Sequence, residues 1–126
     1  MVDAPLEQEE AVGSALAAAF AGFASADVVC VSDMVVTFEI AGAGAADVLA
    51  QGTPLDISSA AFAPASATGT ELWGVAVVVE RPIADPASLR VTVERSCAGY
   101  VEGWLRTAAG LGSDLKPGVM LAQPRR

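Results

Sequence analysis

Enzymatic chemistry needs side chains that move protons, attack carbonyls or hold metals, and this sequence is short of them. It contains no histidine. That removes the usual general base, the usual zinc ligand and every histidine-based triad. Cys30 and Cys97 are the two thiols. Each stands in an apolar stretch and reads as a small buried hydrophobe, and neither belongs to a cluster with metal-ligand spacing. The one lysine is Lys116, near the end of the chain. Glu39 and Glu80 flank apolar runs, where a buried carboxyl would act as a general acid and a solvent-facing one is ordinary surface charge. Gly42-Ala43-Gly44 imitates the start of a dinucleotide loop, but Asp47 stands where the third glycine belongs and would meet a pyrophosphate with a carboxylate. Catalysis would therefore require a histidine-free pocket worked by Asp, Glu or Tyr100. The expectation is a non-enzyme with no cofactor and no metal.

The elements that would position these residues can be read from periodicity. Pro5 to Ala24 reads as a helix: Pro5 suits a first turn, Glu7, Glu9 and Glu10 suit the positive end of the dipole, and alanines fill the body. Val12, Leu16, Phe20 and Phe23 share one stripe. Val28–Val31 and Val35–Ile40 read as two strands of a hairpin across Ser32-Asp33. Ala41 to Ala46 is a loop, Val48–Ala50 a short strand, and Asp56 the cap of a short helix through Phe62. Glu71 to Glu80 reads as one strand, apolar on both faces and so central or at an interface. Residues 85–111 read as a helix. Asp85-Pro86 supplies a cap and first turn, and Leu89, Val93, Cys97, Tyr100, Trp104, Ala108 and Leu111 form a continuous stripe. The competing reading is a strand over 88–94 followed by a shorter helix. The fold class expected is α+β: an N-terminal helix, an antiparallel sheet of four to five strands with a short intervening helix, and a long C-terminal helix packed on the sheet.

Charge narrows the partners. Of 126 residues, 53% are hydrophobic, and fifteen acids against seven bases give a net charge of −8. Residues 1–80 hold eleven acids and no base, so every Lys and Arg follows from Arg81 onward. Nucleic-acid binding needs a basic face, and this field repels phosphate. Residues 11–26 are uncharged and Ala-rich, but the acids before them contradict a secretory leader, which needs a positive start. No apolar run is long enough to span a membrane. The expectation is a cytoplasmic chain with no nucleic-acid and no membrane partner.

One domain is expected over residues 1–112, with 113–126 as a tail whose Leu115, Val119, Met120 and Leu121 are able to dock. A chain this apolar with a two-faced strand should cover part of itself with another protein or a second copy, a dimer being favoured. Phe62, Trp73, Val75, Val77 and Val79 are the candidate interface residues.

The order of elements resembles that of the type III secretion chaperones and the related YbjN-like proteins. The local matches are Val28-Val29-Cys30-Val31 through Val35-Val36-Thr37-Phe38-Glu39, similar to their first hairpin, and Gly74 to Ile83 running into Asp85-Pro86-Ala87-Ser88-Leu89, similar to their final strand and last helix. The resemblance implies a small, acidic, cytoplasmic homodimer that holds a stretch of a partner polypeptide in extended form along apolar patches, without catalysis. A self-assembling structural subunit of a phage particle or shell, and a histidine-free small-ligand carrier, are the alternatives.

Overall fold

The computed structural model describes residues 6–58, 60–110 and 120–121. The fold class is α+β, as the sequence predicts. Contacts divide the chain into two compact units, Met1–Ser32 and Asp33–Arg126, where one domain over 1–112 is expected. The tail 113–126 lies outside the described residues except at Met120 and Leu121.

The first unit holds helix α1, Glu9–Phe20, preceded by a 3-10 turn at Leu6–Gln8. Alanine propensity and the two first-turn glutamates account for the helix. No residue of α1 is buried. Phe20 and Phe23 meet edge to face, with ring centroids 6.0 Å apart. The Cys30 thiol and the Ser32 hydroxyl both donate to the Glu9 carboxylate. These two donors hold its pKa below the usual glutamate range.

Val28–Val31 is not a strand. Ser32-Asp33 lacks the glycine that the tight turns of hairpins favour, and the strand expected to receive it, β1 (Val35–Ala41), pairs along its full length with Ser88–Glu94.

The second unit holds a five-stranded antiparallel sheet of β1, β2 (Ala67–Leu72), β3 (Val75–Glu80), β4 (Ser88–Glu94) and β5 (Met120–Leu121), in the order β2-β3-β4-β1-β5. After β1 comes α2, Ala45–Ala50, in place of the expected loop and short strand. Ala45, Val48 and Leu49 are its buried residues, spaced i, i+3, i+4 as a helix requires. Among the described residues, the segment after Asp56 forms turns and no helix. The Asp56 carboxylate accepts the Ser58 amide at 3.0 Å, and hydrogen bonds from Ser58 lower its pKa. Such local side-chain-to-backbone bonding competes with helix formation.

The expected single strand over 71–80 is a hairpin. Strands β2 (Ala67–Leu72) and β3 (Val75–Glu80) are joined by Trp73-Gly74, with Leu72 opposite Val75. Strand β4, Ser88–Glu94, occupies the start of the expected long helix, and α3 is the shorter Ala98–Ala108. Asp85 does not cap a helix. Its carboxylate accepts the Ala87 amide, and its carbonyl accepts the Ser88 amide and hydroxyl. Val91, Thr92 and Val93 then follow their β-branched preference. Met120–Leu121 forms β5 against Ile40 and Ala41.

One sheet face carries the core. Phe38, Ile40, Val77, Val79, Leu89, Val91 and Val93 pack with Val48 and Leu49 of α2 and Val101 and Leu105 of α3. On the other face, Thr37 and Thr92 share a hydrogen bond of 2.9 Å and Arg90 pairs with Glu39 at 3.7 Å. Arg81 is buried at the end of β3. Its guanidinium donates to the carbonyls of Ile57, Phe62 and Pro86 at 2.7 to 2.8 Å, pinning two irregular segments to the sheet.

Candidate functional site

The turn at Trp73-Gly74 explains the position of the aromatic residues. A two-residue hairpin loop favours positive φ at both central residues. Trp73 has φ 49° and Gly74 has φ 81°. Glycine adopts this region freely, whereas a bulky side chain pays of order 1–2 kcal/mol for it. Compensation comes from Gly52. Its carbonyl accepts the Trp73 amide at 2.8 Å, and its bare Cα lies under the indole so closely that a Cβ there would sit 2.4 Å from Trp73 Cε2.

The other face of this junction belongs to α3. Tyr100 and Trp104 stand one helical turn apart. The Trp104 ring stacks on Trp73 with centroids 5.9 Å apart and planes 18° from parallel. Tyr100 meets Trp104 edge to face at 6.4 Å, and its hydroxyl donates to the Trp73 carbonyl at 3.2 Å. The cluster is not internal: Tyr100 is 52% and Trp104 42% exposed, and Trp73 is half-buried. Both tryptophans and the single tyrosine of the chain are therefore gathered at one surface.

The residues selected from sequence have separate fates. Trp73 is in this cluster. Val75 is half-buried against the core, and Phe62, Val77 and Val79 are core residues. Those three side chains are occupied by the chain's own interior, so the two-faced apolar run does not present them to a partner. The apolar run is explained by β3 being an inner strand of the sheet. The stripe read over 85–111 places Tyr100 and Trp104 on one helix face with Leu89 and Val93, which are core residues. The exposure of Tyr100 and Trp104 follows from the helix starting at Ala98, which turns Val101 and Leu105 inward instead.

Other arrangements with chemical potential are spoken for. A six-residue helix follows Gly42-Ala43-Gly44, where a strand is expected, and Asp47 lies in its first turn. Glu39 and Glu80 flank Arg90 in the strand register on the face opposite the core. A shallow open depression of about 140 Å³ includes Glu80, Arg81 and Arg90, but the Arg81 guanidinium is committed to carbonyls. Cys30 and Cys97 are free thiols. Among the described residues no three His, Cys, Asp or Glu side chains converge as metal ligands, and no helix is long and apolar enough to cross a membrane.

What the aromatic cluster offers is contact. Its rings present flat apolar area with a fixed geometry, and an indole face also attracts a cationic side chain. Comparison with family models and with curated protein sequences returns no match.

Proposed function

We propose that this chain is a non-catalytic protein-binding module whose contact surface is the exposed face of α3 together with the Trp73 turn. The observation that carries this reading is the gathering of every Trp and Tyr of the chain at one surface. Tryptophan and tyrosine dominate interface hot spots because they bury large rigid area while losing little side-chain freedom. In the same unit the phenylalanines Phe38 and Phe62 are buried instead. An indole surface also accepts a lysine or arginine side chain of a partner. Two cysteines are too few for a disulfide framework, which supports a cytoplasmic location. Of the segments that carry the family resemblance, Val35–Glu39 and Val75–Glu80 are strands as it implies, whereas Val28–Val31 is not paired and Asp85 to Leu89 leads into a strand. The reading therefore rests on the surface, with secretion-chaperone-like holding of an extended polypeptide as one form of it.

A photo-crosslinking residue in place of Thr107, which is exposed on α3 beside the cluster, tests the reading in the native host. A polypeptide adduct is expected at Thr107 and not at Ala87, an exposed loop control. Equal labelling at both positions, or none at Thr107, overturns it.

A further inference from the structure

The exposed side of α3 has a pattern that fits itself. A helix advances about 100° per residue, so with Val101 and Leu105 buried the opposite meridian runs through Gly103, with Gly99 and Thr107 one turn to either side. Tyr100 and Trp104 line one flank of this meridian. Glu102 and Arg106 line the other, already joined at 2.8 Å. Added Cβ atoms at Gly99 or Gly103 would meet nothing within 4 Å. The floor between the aromatic and charged walls is thus open backbone.

We propose that the occupant of this face is a second copy of the chain, with its α3 antiparallel to the first. This rests on the protein-binding reading and names the partner for the same surface. A two-fold axis lying in the contact plane, perpendicular to the helices, reverses one helix end for end while keeping each flank on its own side. Aromatic wall then meets aromatic wall. On the charged side Glu102 of each copy faces Arg106 of the other, closing a ring of four alternating charges. A parallel pair would set Tyr100 and Trp104 against Glu102 and Arg106, with no such match. Isologous contacts require this self-complementarity, and opposite charges fix their register. Glycine at the floor lets the two helix backbones approach closely.

The size of the contact sets its strength. Eleven residues of helix span about 16 Å, so even with the Trp73 turn the interface falls at the low end, below roughly 1,200 Å² in total. Micromolar dissociation is expected.

Sedimentation of the full chain from about 1 µM to 1 mM should show the mass rising from 12.7 kDa toward twice that value. Gly103→Glu places a charged side chain on the floor where the folded monomer has room, and should weaken association by about a hundredfold with an unchanged circular dichroism spectrum. Glu102→Arg alone should weaken it by about tenfold, and Glu102→Arg with Arg106→Glu should recover most of that loss. The proposal is overturned by a wild-type chain that stays monomeric to the top of the range. It is equally overturned by Gly103→Glu associating like wild type, or by a double reversal no better than the single one. A monomeric chain whose Thr107 adduct contains a different polypeptide sinks the second copy and leaves the protein-binding reading standing. A monomeric chain with no adduct sinks both.

Discussion

Helices α1 and α3 have twelve and eleven residues, yet they relate to their surroundings in opposite ways. Helix α1 has strong alanine propensity and acidic residues in its first turn, and buries no side chain. Helix α3 contains two glycines and β-branched Val101 and Thr107, a weaker helix by propensity, and puts Val101 and Leu105 fully into the core. Local preference is sufficient to write α1. Tertiary packing is what holds α3, as for most helices in proteins. The contrast extends to the units that contain them. Met1–Ser32 is tied by hydrogen bonds to one carboxylate, and Asp33–Arg126 by a shared apolar interior.

The sharpest way to break this comparison is a matched pair of truncations. Leu105→Ala should cost about 2–5 kcal/mol through lost burial and a residual cavity, read as a lower urea midpoint at constant slope. Leu16→Ala in α1 should stay within about 0.5 kcal/mol of wild type. Equal effects would show that α1 is packed as α3 is. Second in size is Arg81→Met, which deletes three charge-assisted hydrogen bonds and strands three carbonyls. The expected loss is about 3 kcal/mol, seen in the same denaturation experiment.

A pair of glycines separates the two regions at smaller amplitude. Gly52→Ala forces the Trp73 indole off its seat and should cost about 1–3 kcal/mol, with loss of the ring-current shifts between the two indoles in NMR spectra. Gly13→Ala meets open space and should stabilise α1 by up to about 1 kcal/mol, visible as slower amide exchange in that helix alone. The smallest effect is on acid titration. The Glu9 pKa is depressed by its Cys30 and Ser32 donors. Its contribution is therefore complete above the unfolded-state value and is lost as pH falls through the lower folded one. Ser32 and Glu9 resonances should hold steady from neutral pH down to the ordinary glutamate range and change only below it. A change between pH 6 and 7, or none by roughly pH 2, would contradict the assignment.

The sequence was most legible where local and global demands agree. The β-branched run over Val35–Ile40 identifies β1, and alanine content identifies α1. It was least legible at points decided by a partner distant in sequence. Trp73 at positive φ is an improbable turn residue, tolerated because Gly52, twenty-one positions earlier, leaves room for its ring. With that turn hidden, 71–80 read as one strand. The 85–97 segment satisfied both a helical stripe and a strand alternation, and the available edge of β1 selected the strand. Helix α2 was visible in the i, i+3, i+4 spacing of Ala45, Val48 and Leu49, but glycines upstream masked it. Of the site, Trp73 was found as a surface anchor. The exposure of Tyr100 and Trp104 is not legible, because the helix phase depends on where β4 ends. The expectations for Leu111, Leu115, Val119 and Lys116 fall outside the described residues.

The stacked indoles have a practical consequence. Because the chain has just two tryptophans and both lie at the hairpin–helix junction, its intrinsic emission is a local reporter and not a gauge of the whole chain. A fluorescence melt would follow separation of the β2–β3 tip from α3 and remain silent on the first thirty-two residues. Quenching of that emission by a soluble collider would register whatever comes to rest on those rings, with no added dye.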